Sequence, residues 1–272
     1  MPELPEVETV RRGIEPHVLT RRIGKVTVRD ARLRWPIPAD FAKHIGGRTI
    51  TATARRGKYL LLHLDNGDRV IVHLGMSGRL SVLKPGHALR KHDHVDIELS
   101  GDVLLRFNDP RRFGAMLHWP AAEQDHVLLA GMGPEPFSDE FNGEYLYELS
   151  RGRSAAVKNF VMDGRVVVGA GNIYAAEALF RAGIKPGKAA GKVTRAQYDL
   201  LAKKIREVLL AAVKKGGTTL RDFANANGES GYFQQKLFVY GREGEPCLVC
   251  KTPIKRAVIG QRSSFYCPTC QK

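Results

Sequence analysis

The pattern of apolar and polar positions divides the chain into two textures. Near the start, Val7, Val10 and Ile14 recur at helical spacing behind Pro5, a residue tolerated in a first helical turn, and predict a short helix. From Gly24 to about Trp119 the period is two. Lys25–Arg29 alternates; Tyr59–Leu64 and Arg69–Leu74 flank the turn Asp65-Asn-Gly-Asp68; Val95–Leu99 and Val103–Phe107 flank Ser100-Gly-Asp102. Both pairs predict hairpins, and short strands at this spacing predict a sandwich or barrel-like β domain.

The texture changes after Pro120. Gly131-Met-Gly-Pro-Glu-Pro136 is rich in breakers and reads as a linker, and helical patterns follow it. The clearest spans 195–213. Thr194 and Gln197 fit a capping box, and Tyr198, Leu201, Ile205, Val208, Leu209 and Ala212 form one apolar face. Lys214 and Lys215 suit the negative end of the helix dipole, and Gly216-Gly217 ends the helix. The expected class is α+β, in three parts: an N-terminal helix with a β domain over 1–130, a helical domain over 131–240, and a small unit over 241–272. The last is too short to hold a core without a metal.

All four cysteines lie in that small unit, as Cys247-x2-Cys250-x16-Cys267-x2-Cys270. Each Cys-x-x-Cys turn can aim two sulfurs at one point, and two such turns close the tetrahedron that Zn²⁺ accepts in a structural site. Two disulfides are the alternative. They require an oxidising compartment, and nothing in the sequence suggests export.

Charge narrows the class of partner. With 43 Lys+Arg against 28 Asp+Glu, the formal net charge of the 272-residue chain is +15. A surface this basic attracts polyphosphates. No basic amphipathic stretch of the kind that lies on membranes stands out. No run approaches the roughly 18 apolar residues of a membrane span, and the acidic Met1-Pro-Glu-Leu-Pro-Glu-Val-Glu8 is not a signal peptide. A cytoplasmic protein is expected.

Several short stretches carry candidate chemistry. A small residue after Met1 permits removal of the initiator, which leaves Pro2 with a free secondary amine. An α-amine titrates at about 7.7–8.0, so a useful fraction is nucleophilic near neutrality. Condensed with a sugar C1′, a secondary amine gives an iminium with no N–H to lose, and this electron sink acidifies the C2′ protons. Glu3 beside it could shuttle protons as general acid and base. Proline after methionine is by itself common.

Arg55-Arg-Gly-Lys-Tyr59 is a basic turn with glycine access for a phosphate, or a solvated charge run. His73-Leu-Gly-Met-Ser-Gly78 and Asn108-Asp-Pro-Arg-Arg-Phe-Gly114 put Met76, Arg111 and Phe113 in glycine-flanked turns. They could wedge into a base stack or simply pack against their loops. Val166–Tyr174 is an apolar run, a glycine turn and a fresh helix near Asn172, which is an anion site or a plain N-cap. Gly260–Cys267 hangs Arg262 between the cysteine turns, where an Arg is held for phosphate contact or is merely solvated.

Taken together and in order, these stretches resemble the formamidopyrimidine-DNA glycosylase family. The matching segments are Met1–Thr9, Arg56–Tyr59, His73–Gly78, Asp109–Gly114, Gly169–Tyr174, Gly216–Phe223, Gly231–Gln235, Val239–Arg242 and Gly260–Pro268, and they span the whole chain. The resemblance implies a β-sandwich joined to a helical domain with a helix-two-turn-helix motif and a zinc finger, with DNA in the cleft between them. It implies a bifunctional glycosylase and AP lyase that flips an oxidised purine (8-oxoguanine or a formamidopyrimidine) out of double-stranded DNA. Pro2 displaces the base as Schiff-base nucleophile, and β,δ-elimination cleaves the strand.

By resemblance Glu3 is the general acid/base. Lys58 is a proton donor and phosphate contact, and Asn172 and Arg262 grip phosphates, Arg262 also serving the elimination step. Met76, Arg111 and Phe113 fill the vacated stack, with Arg111 facing the orphaned cytosine, and His92 joins the DNA contacts. Gly217–Tyr232 corresponds to a lesion-capping loop. One structural Zn²⁺ on Cys247, Cys250, Cys267 and Cys270, a monomeric state and association with the nucleoid on DNA complete the expectation. Some relatives carry Lys at the position of Arg165, which receives no lesion-contacting role. Two alternatives stand beside it: an endonuclease VIII-like enzyme for oxidised pyrimidines, and a non-catalytic zinc-ribbon DNA-binding protein, which would leave Pro2 unexplained.

Overall fold

A computed structural model describes residues 2–216 and 237–272 of the chain. They fall into two units, one running to Ala130 and the other comprising Gly131–Lys215 with the C-terminal segment.

The first unit begins with α1 (Leu4–Val18), in which Pro5 occupies the first turn. Glu3 is its N-cap, and the Glu3 N–H donates to Glu6 Oε2 at 2.8 Å, so an otherwise orphaned donor is satisfied. Leu4, Val7, Val10, Ile14 and Val18 form its buried stripe. Each such burial contributes on the order of 2 kcal/mol. The chain continues through β1 (Ile23–Val28), α2 (Phe41–Ile45), β2 (Ile50–Arg56), β3 (Tyr59–Leu64), β4 (Arg69–His73), β5 (Arg79–Leu83), β6 (Asp93–Leu99), β7 (Val103–Asn108) and β8 (Ala115–Trp119).

The strands form two antiparallel sheets, ordered β1-β6-β7-β5 and β2-β3-β4-β8, so the β domain is a sandwich. Alternation decides the faces. Leu60, Leu62, Val70 and Val72 point into the main core with Val95, Ile97, Leu105 and Phe107, while Leu61 and Ile71 pack with Trp119 on the other side. The register then sets where the loops emerge. His73 pairs with both Tyr59 and Ala115, and Asn108 pairs with both Arg79 and Asp93. The β2–β3 turn, the β4–β5 loop, the β7–β8 loop and the entry to β6 therefore share one end of the sandwich.

In the second unit α3 (Gly143–Ser150), α4 (Val157–Met162), α5 (Asn172–Arg181) and α6 (Arg195–Lys214) enclose a core of Phe141, Leu146, Phe160, Tyr174, Leu179, Tyr198, Leu201, Ile205 and Leu209. The capping box predicted for α6 is formed: Gln197 N–H donates to Thr194 Oγ1 at 3.2 Å and Thr194 N–H to Gln197 Oε1 at 3.1 Å. The segment read as a linker is docked rather than loose. Gly133 N–H donates to Gly164 O at 2.8 Å, and Val168 N–H to Pro134 O at 3.2 Å.

The C-terminal segment adds the hairpin β9 (Lys255–Ile259) and β10 (Arg262–Tyr266). It shares an apolar cluster with α5 through Phe180, Val239, Cys247, Ile254 and Cys267. Its end is tied to the turn after α5, with Lys272 N–H donating to Gly183 O at 3.0 Å and buried Gln271 donating through Nε2 to Ile184 O at 2.8 Å. No helix among the described residues is long and apolar enough to cross a membrane.

Candidate functional site

Pro2 and Glu3 are both buried, immediately ahead of the first turn of α1. That turn lies near the basic β2–β3 turn. Glu8 pairs with Arg55 at 3.4 Å, and Arg55 Nη1 donates to Gly57 O at 3.0 Å, directly before Lys58. Met1 lies outside the described residues.

Lys58 is half-buried, and its charge is felt by His73 at the end of β4. Burial, then the cations of Lys58 and Arg34, push the His73 imidazole down to about 4. The ring is neutral at pH 7, and its Nδ1 accepts the Gly75 N–H at 3.1 Å.

Met76, Arg111 and Phe113 come together. They line one cavity of about 620 Å³ with Arg32, Leu33, Arg34, His73, Gly75 and Arg112. Met76 and Phe113 are 39% and 42% exposed, more than ordinary packing against a loop would leave them. The Arg111 guanidinium lies 4.9 Å from the Phe113 ring centre, a cation–π arrangement.

One fully buried carboxylate organises both loops. Asp109 Oδ1 accepts the Ser77 hydroxyl at 2.7 Å and the Arg111 N–H at 3.3 Å, and Oδ2 accepts the Gly114 N–H at 2.8 Å. Gly75, at φ +61°, lets the loops touch: a Cβ there would sit 2.4 Å from the Phe113 carbonyl carbon. Arg112, at φ +58°, is tied to Asp30 at 2.6 Å. His92, at φ +73°, is partly exposed at the entry to β6, and its carbonyl accepts the Asp109 N–H at 3.1 Å.

Asn172 and Arg262 belong to the second unit. The N-cap of α5 is Gly171, so Asn172 is the first helical residue and not the plain cap that the sequence also allowed. Its amide makes long-range contacts. Oδ1 accepts from the Lys158 ammonium, and Nδ2 donates to Ser263 O at 3.2 Å and to the Tyr240 hydroxyl at 3.4 Å. Lys158 is fully buried and also donates to Ser264 Oγ at 2.6 Å and Ser263 O at 3.2 Å. Arg262, one residue before Ser263, is exposed at the start of β10, directly after the two-residue hairpin turn Gly260-Gln261, both at positive φ. A Cβ on Gly260 would sit 2.4 Å from the Asn159 side chain. Buried Glu177 of α5 completes the frame: its carboxylate accepts the N–H groups of Phe238, Val239 and Tyr240 at 2.9–3.0 Å. Arg165 points elsewhere, an exposed guanidinium paired with Asp163 at 2.8 Å.

The four cysteine sulfurs lie within 4.8 Å of one another. Cys247 and Cys270 are 4.0 Å apart and Cys250 and Cys267 3.4 Å, too far for disulfides and close to the ~3.8 Å edge of a Zn–S₄ tetrahedron. The donor set suits a divalent cation. Hydrogen bonds from Thr252 draw the Cys250 thiol down to about 6, and Val249 N–H donates to Cys247 Sγ at 3.4 Å. Burial and the neighbouring thiols push Cys270 up, an opposition that a central cation resolves.

Comparison with known proteins agrees with this geometry. Residues 1–116 match the formamidopyrimidine-DNA glycosylase N-terminal domain, 132–224 its H2TH domain, and 244–272 the zinc finger found in FPG and IleRS. The chain is 56% identical over 272 residues, 100% of both chains, to formamidopyrimidine-DNA glycosylase of Methylococcus capsulatus. The chain belongs to the formamidopyrimidine-DNA glycosylase family.

Solved members of the family share its fold. Lactococcus lactis Fpg (MutM) in complex with DNA containing N7-benzyl-Fapy-dG is 31% identical with a TM-score of 0.90, over 100% of each chain. A MutM in complex with DNA containing carbocyclic 8-oxo-G is 32% identical with a TM-score of 0.88, again over 100% of each. As a glycosylase of this family, the chain is a DNA-repair enzyme with AP lyase activity and a zinc finger. Its sequence pointed to the exposed members of the arrangement. It gave no sign of Lys158 or Glu177, buried groups whose partners lie far away in sequence, nor of the tie that the Asp109 carboxylate makes between the two loops. Gly217–Tyr232 lies outside the described residues.

Proposed function

We propose that the enzyme excises oxidised purines, 8-oxoguanine and formamidopyrimidines, from double-stranded DNA and cleaves the strand by β,δ-elimination. The observation that carries this reading is the shared cavity of Met76, Arg111 and Phe113. Two exposed apolar side chains and a cation–π-held guanidinium on loops pinned by Asp109 are suited to replace an extruded base. Arg111 faces the orphaned cytosine.

The chemistry is assigned to Pro2. Its amine attacks C1′, the glycosidic bond breaks, and its electrons leave with the base, which takes up a proton. The attacking nitrogen gives up its proton, and its lone pair forms a double bond to C1′ as the C1′–O4′ bond breaks and O4′ takes up a proton. The resulting iminium acidifies the proton on C2′. Glu3 removes that proton, the C3′–O bond breaks, and a second elimination breaks the C5′–O bond. Lys58 holds a lesion phosphate and supplies a proton; Asn172 and Arg262 grip further phosphates, and Arg262 assists the elimination; His92 adds a DNA contact. One Zn²⁺ on Cys247, Cys250, Cys267 and Cys270 has a closed shell and a structural role. A monomer, cytoplasmic and nucleoid-associated on DNA, with domains at 1–130, 131–240 and 241–272, completes the reading.

Borohydride trapping on a panel of oxidised purines and pyrimidines tests it. A covalent adduct through Pro2, strongest on 8-oxoguanine and formamidopyrimidine duplexes, is expected. Absence of any adduct in protein with a free Pro2 amine defeats the amine mechanism. Preferential trapping on oxidised pyrimidines gives the endonuclease VIII-like substrate class instead.

A further inference from the structure

Outside the wedge cavity, the sandwich carries a second built cavity of about 390 Å³. It is lined by Arg79, Ser81 and Leu83 of β5, Asp93 of β6, Arg106 and Asn108 of β7, Pro110, and His87, Arg90 and Lys91 of the β5–β6 loop. Four of these side chains are cationic and one is a carboxylate. The loop itself, Lys84-Pro-Gly-His-Ala-Leu-Arg-Lys-His92, contains five basic or histidine residues and no acid. Leu83 lies opposite Leu104 and Asp93 opposite Asn108, so the loop runs back along the sheet towards the end where the wedge loops emerge.

The loop is fixed through its backbone. Arg106, with only 6% of its side chain exposed, is held by Asp96 at 2.7 Å and Asp93 at 3.2 Å. It donates through Nη1 to the carbonyls of Ala88 at 3.0 Å and His87 at 3.3 Å. Asp93 Oδ2 accepts the Arg90 N–H at 2.8 Å, and Asn108 Nδ2 donates to Lys91 O at 3.0 Å. Arg106 is thus neutralised and serves as an anchor. The exposed side chains of His87, Arg90 and Lys91 make no ion pair among the described residues, and Leu89 stands 59% exposed between them. Cations held in place by their own backbone, with an apolar side chain between them, suit alternating phosphates and deoxyriboses better than a small anion, which needs donors converging on one point. Pro110 lines this cavity and Arg111 the wedge cavity, so the two are adjacent along the chain.

We propose that the Arg106-pinned loop 84–92 is a second grip on the DNA backbone, in which Arg90 and Lys91 take phosphates of the duplex beyond the lesion. This rests on the reading of the wedge as a DNA-inserting element. The test compares wild type with the double variant Arg90→Ala, Lys91→Ala. Two 8-oxoguanine duplexes serve as probes: one extends about one helical turn, ~10 base pairs, on each side of the lesion; the other is cut back to a few base pairs on each side.

On the long duplex the variant should bind more weakly and lose about 1.8 from the slope of log K against log salt, so that its deficit shrinks about tenfold between 50 and 200 mM salt. On the short duplex the two proteins should bind alike, and single-turnover excision at saturating enzyme should be unchanged on both. Equal affinity and slope on the long duplex would overturn the proposal, as would an equal loss on both lengths. Arg90→Glu with Lys91→Glu should deepen the long-duplex loss; a reversal without effect counts against the grip. Failure of the underlying reading shows separately, as wild type that neither excises nor traps.

Discussion

Lys158 buries its ammonium against the side-chain oxygen of Asn172, linking α4 to the first residue of α5. A buried ammonium is costly unless its hydrogens all find partners. Here Ser263 O and Ser264 Oγ accept the rest. The arrangement fixes the orientation of the Asn172 amide: with Oδ1 turned to a cation, Nδ2 must face the Ser263 carbonyl and the Tyr240 hydroxyl. The start of α5 and the hairpin carrying Arg262 are therefore held together by one buried charge.

Replacing that charge separates positioning from stability. Lys158→Met keeps the volume and removes the donors. Asn172 loses the group that orients it, and affinity for lesion DNA should fall about 5–30-fold, the equivalent of one to two kcal/mol, without sequence preference. Thermal stability should change little, since the relieved desolvation penalty is set against the acceptors left without their donor. A fall in melting temperature with unchanged affinity of the folded fraction would make Lys158 a purely structural residue.

Asp109 offers a test of the wedge. In Asp109→Asn one carboxylate oxygen becomes an NH₂ group that must face either the Ser77 hydroxyl or the Gly114 N–H. The lost hydrogen bond should cost about 1–3 kcal/mol and loosen both loops. Extrusion of a paired base demands the wedge more than does a site already lacking its base. Single-turnover strand cleavage should therefore drop more on an 8-oxoguanine duplex than on an abasic-site duplex. Equal losses on both would place the defect in the chemistry rather than in extrusion.

The folded chain explains why parts of it could be read in advance. The hairpins over Tyr59–His73 and Asp93–Asn108 and the helix Arg195–Lys214 follow from periodicity and turn chemistry within a few residues of sequence. The cysteine cluster follows from spacing alone. What stayed hidden is long-range. Glu177 accepts backbone N–H groups from residues 61–63 positions away, and Lys158 reaches Ser264 across 106. No local pattern distinguishes such a Glu or Lys from one on a solvated helix face. The Asn172 reading shows the same limit: sequence placed a helix start there, but Gly171 took the cap and freed the amide for distant partners.

Metal removal should act on the hairpin and leave the helical core. The small segment has only a short apolar cluster of its own beside its polar ties to the helical unit, so its order depends on the cysteine cluster, whereas α6 buries its own stripe against the helical core. A strong chelator should release one zinc per chain, measured by mass spectrometry of the dialysate. DNA binding should be lost because Arg262 is no longer held, while most far-UV helical signal persists. Retained affinity in metal-free protein would detach Arg262 and the hairpin from DNA contact.

His73 should make stability depend on pH above the carboxylate range. Its folded-state value, about 4, lies below the ordinary ~6.5 because burial, then Lys58 and Arg34, oppose a positive ring. The neutral ring is the native form, and its Nδ1 accepts the Gly75 N–H, a bond that protonation of that nitrogen would destroy. The unfolded chain takes up this proton first as pH falls. The contribution is therefore complete above about 6.5 and is lost progressively down to about 4, amounting to roughly 3 kcal/mol. Urea midpoints for wild type should decline across that window. His73→Gln should be less stable at pH 7.5 but flatter between pH 6.5 and 4.5. Parallel slopes in the two proteins would show that His73 titrates at its ordinary value and that the cations beside it are screened by water.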